Sequence, residues 1–169
     1  HKAIRRQRQM CIRDRDSTLM FQRKALHYAI ASGDSLQIAM SKHNLSLEFD
    51  SFDELDSALY YAQSALKGLP KKENHGNYYS NLGDLIFKTG GNKDSARHYL
   101  NKSLAELSTE GKSTCLNNLY NLEKENGDYK TANIYLEKHA AIIDSLYYMD
   151  QSTEIQQLIY EYNSKMRVR

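Results

Sequence analysis

The chain writes one pattern three times. Asn44-Leu45, Asn81-Leu82 and Asn118-Leu119 stand 37 residues apart both times, and each is followed by Ala-x-x-Tyr at Ala58/Tyr61, Ala96/Tyr99 and Ala132/Tyr135, the alanines being 38 and 36 apart. Self-similarity at this period is the mark of a stacked repeat. One such unit cannot bury its apolar face alone, so neighbours must share a core, and stacking leaves a long exposed surface suited to binding.

Within each unit the apolar residues follow a helical period, and two helical runs are separated by a turn rich in Gly, Asn or Asp. In the second unit the spacing predicts helices from His75 to Lys88 and from Asp94 to Leu107, broken at Gly90-Gly91 and ended before Gly111. In the third, Thr114 to Asn126 precedes a break at Gly127-Asp128 and a helix carrying Ala132, Tyr135, Leu136 and Ala140. The first unit breaks at Asp50-Ser51-Phe52-Asp53, without glycine, and closes at Gly68-Leu69-Pro70, where proline cannot continue a helix. The recurring alanine suits a close helix crossing, with the tyrosine one turn on filling the space beside it.

These residues resemble the tetratricopeptide repeat, whose pattern sets Asn-Leu-Gly on the first helix, Gly at the turn, Ala and an aromatic on the second helix and Pro at the end. Asn81-Leu82-Gly83, Gly91, Ala96 and Tyr99 carry the likeness, as do Asn118-Leu119, Gly127, Ala132 and Tyr135; the first unit has Asn44-Leu45-Ser46, Ala58, Ala65 and Pro70, with Ser in place of Gly. Tyr120 departs from the pattern, and the chain has no tryptophan. The resemblance implies an all-α fold, a right-handed superhelical solenoid of helix-turn-helix repeats over 39–72, 76–109 and 113–146. Residues 16–33 then read as the second helix of a partial preceding repeat, and 147–169 as a C-terminal amphipathic capping or linker helix.

Residues 1–15 are set apart. The run from Arg5 to Arg15, RRQRQMCIRDR, is what a common sequencing-library adapter encodes in one reading frame, and the segment is expected to be foreign to the natural protein. Six of the chain's 23 Lys and Arg but one of its 21 Asp and Glu fall there, so the apparent charge of +2 becomes −3 without it. The basic stripe that would neutralise phosphates is then missing, and nucleic acid is not an expected partner. No run of 18 apolar residues predicts a membrane span. Cys11 lies in the adapter segment, which leaves Cys115 as a buried spacer among apolar neighbours.

No catalytic set emerges. His27, His43, His75, His98 and His139 have no spacing that would place two metal ligands on one helix face. Gly90-Gly91 lacks the lysine and preceding strand of a phosphate loop, and Glu106, Glu110, Glu123 and Glu125 read as solvated helix charges. No enzyme activity, metal or cofactor is expected. Asn44, Asn81 and Asn118, at the same point of each unit, suit a framework role in which a polar side chain ties neighbouring helices.

In the resembled family the first helices line a concave groove. The inward stripe is Asn77, Ser80, Asp84 and Lys88 on one and Thr114, Asn117, Asn121 and Lys124 on the next, three or four apart and so on one face. Amides and hydroxyls at those positions suit a peptide backbone. After Asp144-Ser145 a helix carrying Leu146, Ile155, Leu158, Ile159, Tyr162 and Met166 is expected, continuing past the chain's end. Repeats followed by a long helix resemble bacterial regulators that have these repeats as a sensory region. The expected function is therefore a protein- or peptide-binding module, the input of a larger bacterial signalling protein whose repeats would lie in the periplasm if the parent is membrane-anchored. The alternative is a structural scaffold for an assembly, with no ligand groove.

Overall fold

A computed structural model describes residues 2–167, with side chains described over 15–160 except at 158. Leu158, Tyr162 and Met166 of the expected tail stripe thus have side chains outside the described set, as do residues 1–14. The described residues form seven helices and no strand: α1 (Lys2–Ser32), α2 (Ser35–Ser51), α3 (Leu55–Gly68), α4 (Gly76–Lys88), α5 (Lys93–Leu104), α6 (Thr109–Glu125) and α7 (Tyr129–Arg167). They divide into two compact units, one ending at Glu106 and the other starting at Leu107.

In the first unit α2 pairs with α3 and α4 with α5, α3 packs on α4, and α1 lies against α2. The core runs through Leu19, Leu45, Phe49, Ala58, Ala62, Leu82 and Leu85. The crossings within the two hairpins explain the small residues. An added Cβ on Gly83 would stand 2.8 Å from Leu100 Cγ and 3.1 Å from the Ala96 carbonyl oxygen, so α4 and α5 touch nearly backbone to backbone. At the matching place in α2, Ser46 is buried and its hydroxyl donates to the Ala58 carbonyl at 2.8 Å. Serine replaces glycine there because it turns the same close approach into a hydrogen bond. The tyrosines one turn beyond each alanine are half-buried and stack: Tyr61 on Phe49 and Tyr99 on Tyr79.

Three helices end in the same way. Gly90 (φ 69), Gly127 (φ 80) and Asp53 (φ 60) take left-handed backbone. The next N–H, of Gly91, Asp128 or Glu54, donates five residues back to the carbonyl of Ile86, Glu123 or Phe49 at 2.8–3.0 Å. This is the Schellman terminator. Asp53 does the glycine's work in the first unit, being among the few side chains that tolerate positive φ.

In the second unit α6 pairs with α7 over a buried set that includes Cys115, Leu116, Leu119, Leu122 and Ala132. Three boundaries differ from the sequence reading, the first in the other unit, where α5 ends at Leu104 and not at Leu107. Gly111 lies inside the first turn of α6, because the side chain of Ser108 accepts from its N–H and starts the helix earlier. Helix α7 passes through Asp144-Ser145 without interruption, since neither residue breaks a helix whose neighbours on both sides are good formers.

Gly83→Ala should cost about 1–3 kcal/mol, because the methyl group must displace Leu100 or the α5 backbone. Gly68→Ala, which meets nothing within 4 Å at the end of α3, should be neutral or slightly stabilising. Urea midpoints for the two variants check this; equal midpoints would remove the close crossing as the reason for Gly83.

Candidate functional site

Helices α2 and α4 lie side by side and run in the same direction. His43 meets Tyr78 with ring centroids 4.6 Å apart, Ser46 Oγ accepts from Asn81 Nδ2 at 2.8 Å, and Asp50 Oδ2 pairs with Lys88 Nζ at 2.8 Å, so contacts advance together along both helices. On α4, Asn77 and Lys88 are exposed, and Ser80 and Asp84 are half-buried. The 37-residue period carries the same stripe back onto α2, to Met40, His43, Leu47 and Ser51, a set the sequence reading did not assign although subtracting the period finds it. Met40 and Leu47 are exposed there, so this face mixes two large apolar side chains with amide, hydroxyl and carboxylate groups.

Its cation is already engaged. Lys88 Nζ lies 2.7 Å from Asp84 Oδ2 as well as 2.8 Å from Asp50, one ammonium held by two carboxylates. Burial pushes the Asp84 carboxyl above its ordinary range, with Lys88 pulling partly the other way. Burial alone would lower Lys88, but the hydrogen bonds and charges of Asp50 and Asp84 outweigh it and raise the pKa. Burial also lowers the pKa of His43, whose Nδ1 is buried without a hydrogen-bond partner among the described residues.

The recurring asparagines are not equivalent. Asn81 is buried and ties α4 to α2 through Ser46, while Asn118 is half-buried and Asn44 is exposed. The tie in the first hairpin belongs to Ser46, two residues on. Two of the glutamates read as solvated charges are not. Glu106 Oε2 accepts from the His75 N–H at 2.7 Å, while Asn74 Nδ2 donates to the Glu106 carbonyl at 2.7 Å and Asn74 Oδ1 accepts from the Gly76 N–H at 2.8 Å. A carboxylate thus sits at the positive start of α4. Glu123 is buried, at 2% exposure.

In the second unit Thr114, Asn117, Asn121 and Lys124 all lie exposed on α6, with Lys124 Nζ 5.5 Å from the Tyr120 ring centroid. The opposite side of α6 is buried with Cys115, and Ser113 pairs with His139 Nδ1 at 3.1 Å. The eight stripe residues therefore fall as two sets, one on α4 in the first unit and one on α6 in the second.

Among the described residues no group of three His, Cys, Asp or Glu side chains could hold a metal ion, and no helix is long and apolar enough to cross a membrane. No protein-family model and no curated protein matches the chain.

The Lys88 cluster sets one expectation. A raised folded-state pKa means that Asp84 and Lys88 each contribute stability below their unfolded values and lose it as pH rises through the folded ones. Lys88→Met leaves Asp84 and Asp50 without their cation and should cost about 1 kcal/mol at pH 7, less than a fully buried pair because Lys88 is 40% exposed. The loss should shrink in acid as Asp84 takes up its proton. An equal loss at pH 3 and pH 7, from urea titrations, would assign it to packing instead.

His43 works in the other direction. With its folded pKa below the ordinary 6.5, the unfolded chain binds the proton first, so stability is full above that value and declines as pH falls towards the depressed one. His43→Leu should flatten this part of the melting-temperature profile between about pH 7 and pH 5.5. An unchanged slope would mean that other groups carry it.

Proposed function

We propose that the chain is a protein- or peptide-binding helical-repeat module of tetratricopeptide type, acting as the input part of a larger bacterial signalling protein. The observation that carries this reading is the α2–α4 face, where exposed Met40 and Leu47 lie on the helix next to Asn77, Ser80 and Asp84. Apolar side chains of a bound segment would cover the first pair, and its backbone amides would meet the second set.

The charge state narrows the ligand. Two carboxylates against one ammonium leave the face negative by one charge, so Lys88 cannot serve as a free anchor for a terminal carboxylate. A neutral or basic segment fits; an acidic one meets repulsion. The acidic balance of the chain outside residues 1–15 disfavours polyanions in the same way.

Selection of peptides from a random library against the whole chain tests the proposal. Recovered sequences should be apolar and neutral to basic. Asn77→Ala and Ser80→Ala should each weaken their binding about 5- to 100-fold, the range for a lost partner of a buried polar group, with unchanged melting temperature. Asn81→Ala should lower the melting temperature, since it removes the bond by which α4 is tied to the Ser46 hydroxyl of α2. If selected peptides bind all three variants as they bind the parent, the face is not the site, and the scaffold reading replaces this one.

A further inference from the structure

Helix α1 carries a fourth copy of the second-helix pattern. The run from Thr18 to Leu26 aligns with Ala58 to Leu66 of α3 at a spacing of 40, and with Ala96 to Leu104 of α5 at a spacing of 78. The alignment holds in three dimensions. Leu19 and Leu26 of α1 join the core as Leu59 and Leu66 of α3 do, so α1 offers α2 the side that α3 offers α4.

The adjoining side differs. In α3 and α5 it is covered by the preceding helix of the hairpin, which buries Ala58, Ala62 and Ala65 in one and Ala96, Leu100 and Ser103 in the other. In α1 the same side is open. Ala25, at the place of Ala65 and Ser103, is exposed, and Phe21, at the place of half-buried Tyr61 and Tyr99, is 62% exposed. Tyr28, two turns on from Phe21, extends this side and is exposed as well. Among the described residues of its unit, α1 packs on α2 alone. It also runs without a break through residue 14, the place of Glu54 and Asn92, where the other two hairpins turn.

The hairpins show what such a side takes. Tyr79 of α4 stacks on Tyr99 with ring centroids 6.0 Å apart and lies under Lys102 Nζ at 4.3 Å, and four residues later Gly83 meets Ala96 and Leu100. Phe21 and Lys24 stand where Tyr99 and Lys102 stand, so one aromatic side chain in the place of Tyr79 would meet both. Thr18 is bulkier than the alanines it matches, and a crossing there calls for glycine on the opposing helix. We propose that the open side of α1 is a docking site for an amphipathic helix of the α4 kind, supplied by a partner from outside residues 1–169, with an aromatic residue four places before a glycine. The chain's own helices of this kind, α2 and α4, are already paired with α3 and α5, which leaves a partner as the source. The seat shares no residue with the α2–α4 face.

Calorimetric titration of the whole chain with a synthetic peptide of residues 74–91, the α4 sequence with its flanking turns, tests the proposal. One peptide should bind per chain with a dissociation constant of about 1–100 μM, modest because the free peptide must first order into a helix. Phe21→Ser and Ala25→Leu in the chain should each weaken binding about tenfold or more, with unchanged melting temperature because both positions are exposed. Gly83→Leu in the peptide should do the same by holding the helices apart. Asn77→Ala in the chain, on the α2–α4 face, should leave the affinity as it was. Absence of binding up to about 500 μM peptide, or binding indifferent to both Phe21→Ser and Ala25→Leu, would overturn the proposal. So would a chain that dimerises by itself and loses the dimer with Phe21→Ser, which would give the seat to a second copy.

Discussion

The first unit depends on two places where helices approach almost backbone to backbone. At Gly83 there is no room for a methyl group against Leu100 and the Ala96 carbonyl, and at Ser46 the hydroxyl bridges to the Ala58 carbonyl. Close approach lets the apolar residues beside these points, Leu45, Leu82 and Leu85, bury completely or nearly so. It also places Ser46 so that, while donating to α3, it accepts from Asn81 on α4. One hydroxyl thereby joins three helices, and a buried polar pair is satisfied in a core that would penalise it if unpaired.

What could be read from the sequence was what is local and periodic. The alternation of helices and turns follows from apolar spacing, and the alanines are buried as close crossings require. What could not be read depends on partners distant in the chain. Glu106 looks like an exposed charge until it is placed against the start of α4, 31 residues earlier. Asn44 and Asn81 look equivalent until Ser46 is found to hold the bond that Asn44 was expected to make. Asp53 replaces a glycine at a turn where only backbone geometry reveals the substitution.

The stripe on α4 shows the same division. Its residues share a face because of their spacing, and that much is arithmetic. Its electrostatics come from Asp50, which lies 38 residues from Lys88 and on another helix. Lys88, one of the stripe's two lysines, is a counter-ion shared by Asp84 and Asp50. The face keeps its hydrogen-bonding groups, and Asp50 takes it from neutral to a net negative charge of one.

Helix α7 shows why a single apolar stripe is an insufficient description of a long helix. Read as one pattern, Leu146, Ile155, Leu158 and Ile159 form a broad amphipathic band. Burial separates them: Leu146 closes the side that faces α6, and Ile155 and Ile159 open another nearly across the helix. Two apolar stripes on opposite sides cancel in any average over the helix, so neither stands out from composition. A helix confined to one hairpin needs only the first stripe, and the second has no counterpart among the described residues of this unit. Both stripes step by three and four, Ala132, Tyr135, His139, Ile142 and Leu146 on one side and Tyr148, Ser152, Ile155 and Ile159 on the other, so spacing alone cannot tell them apart and burial does.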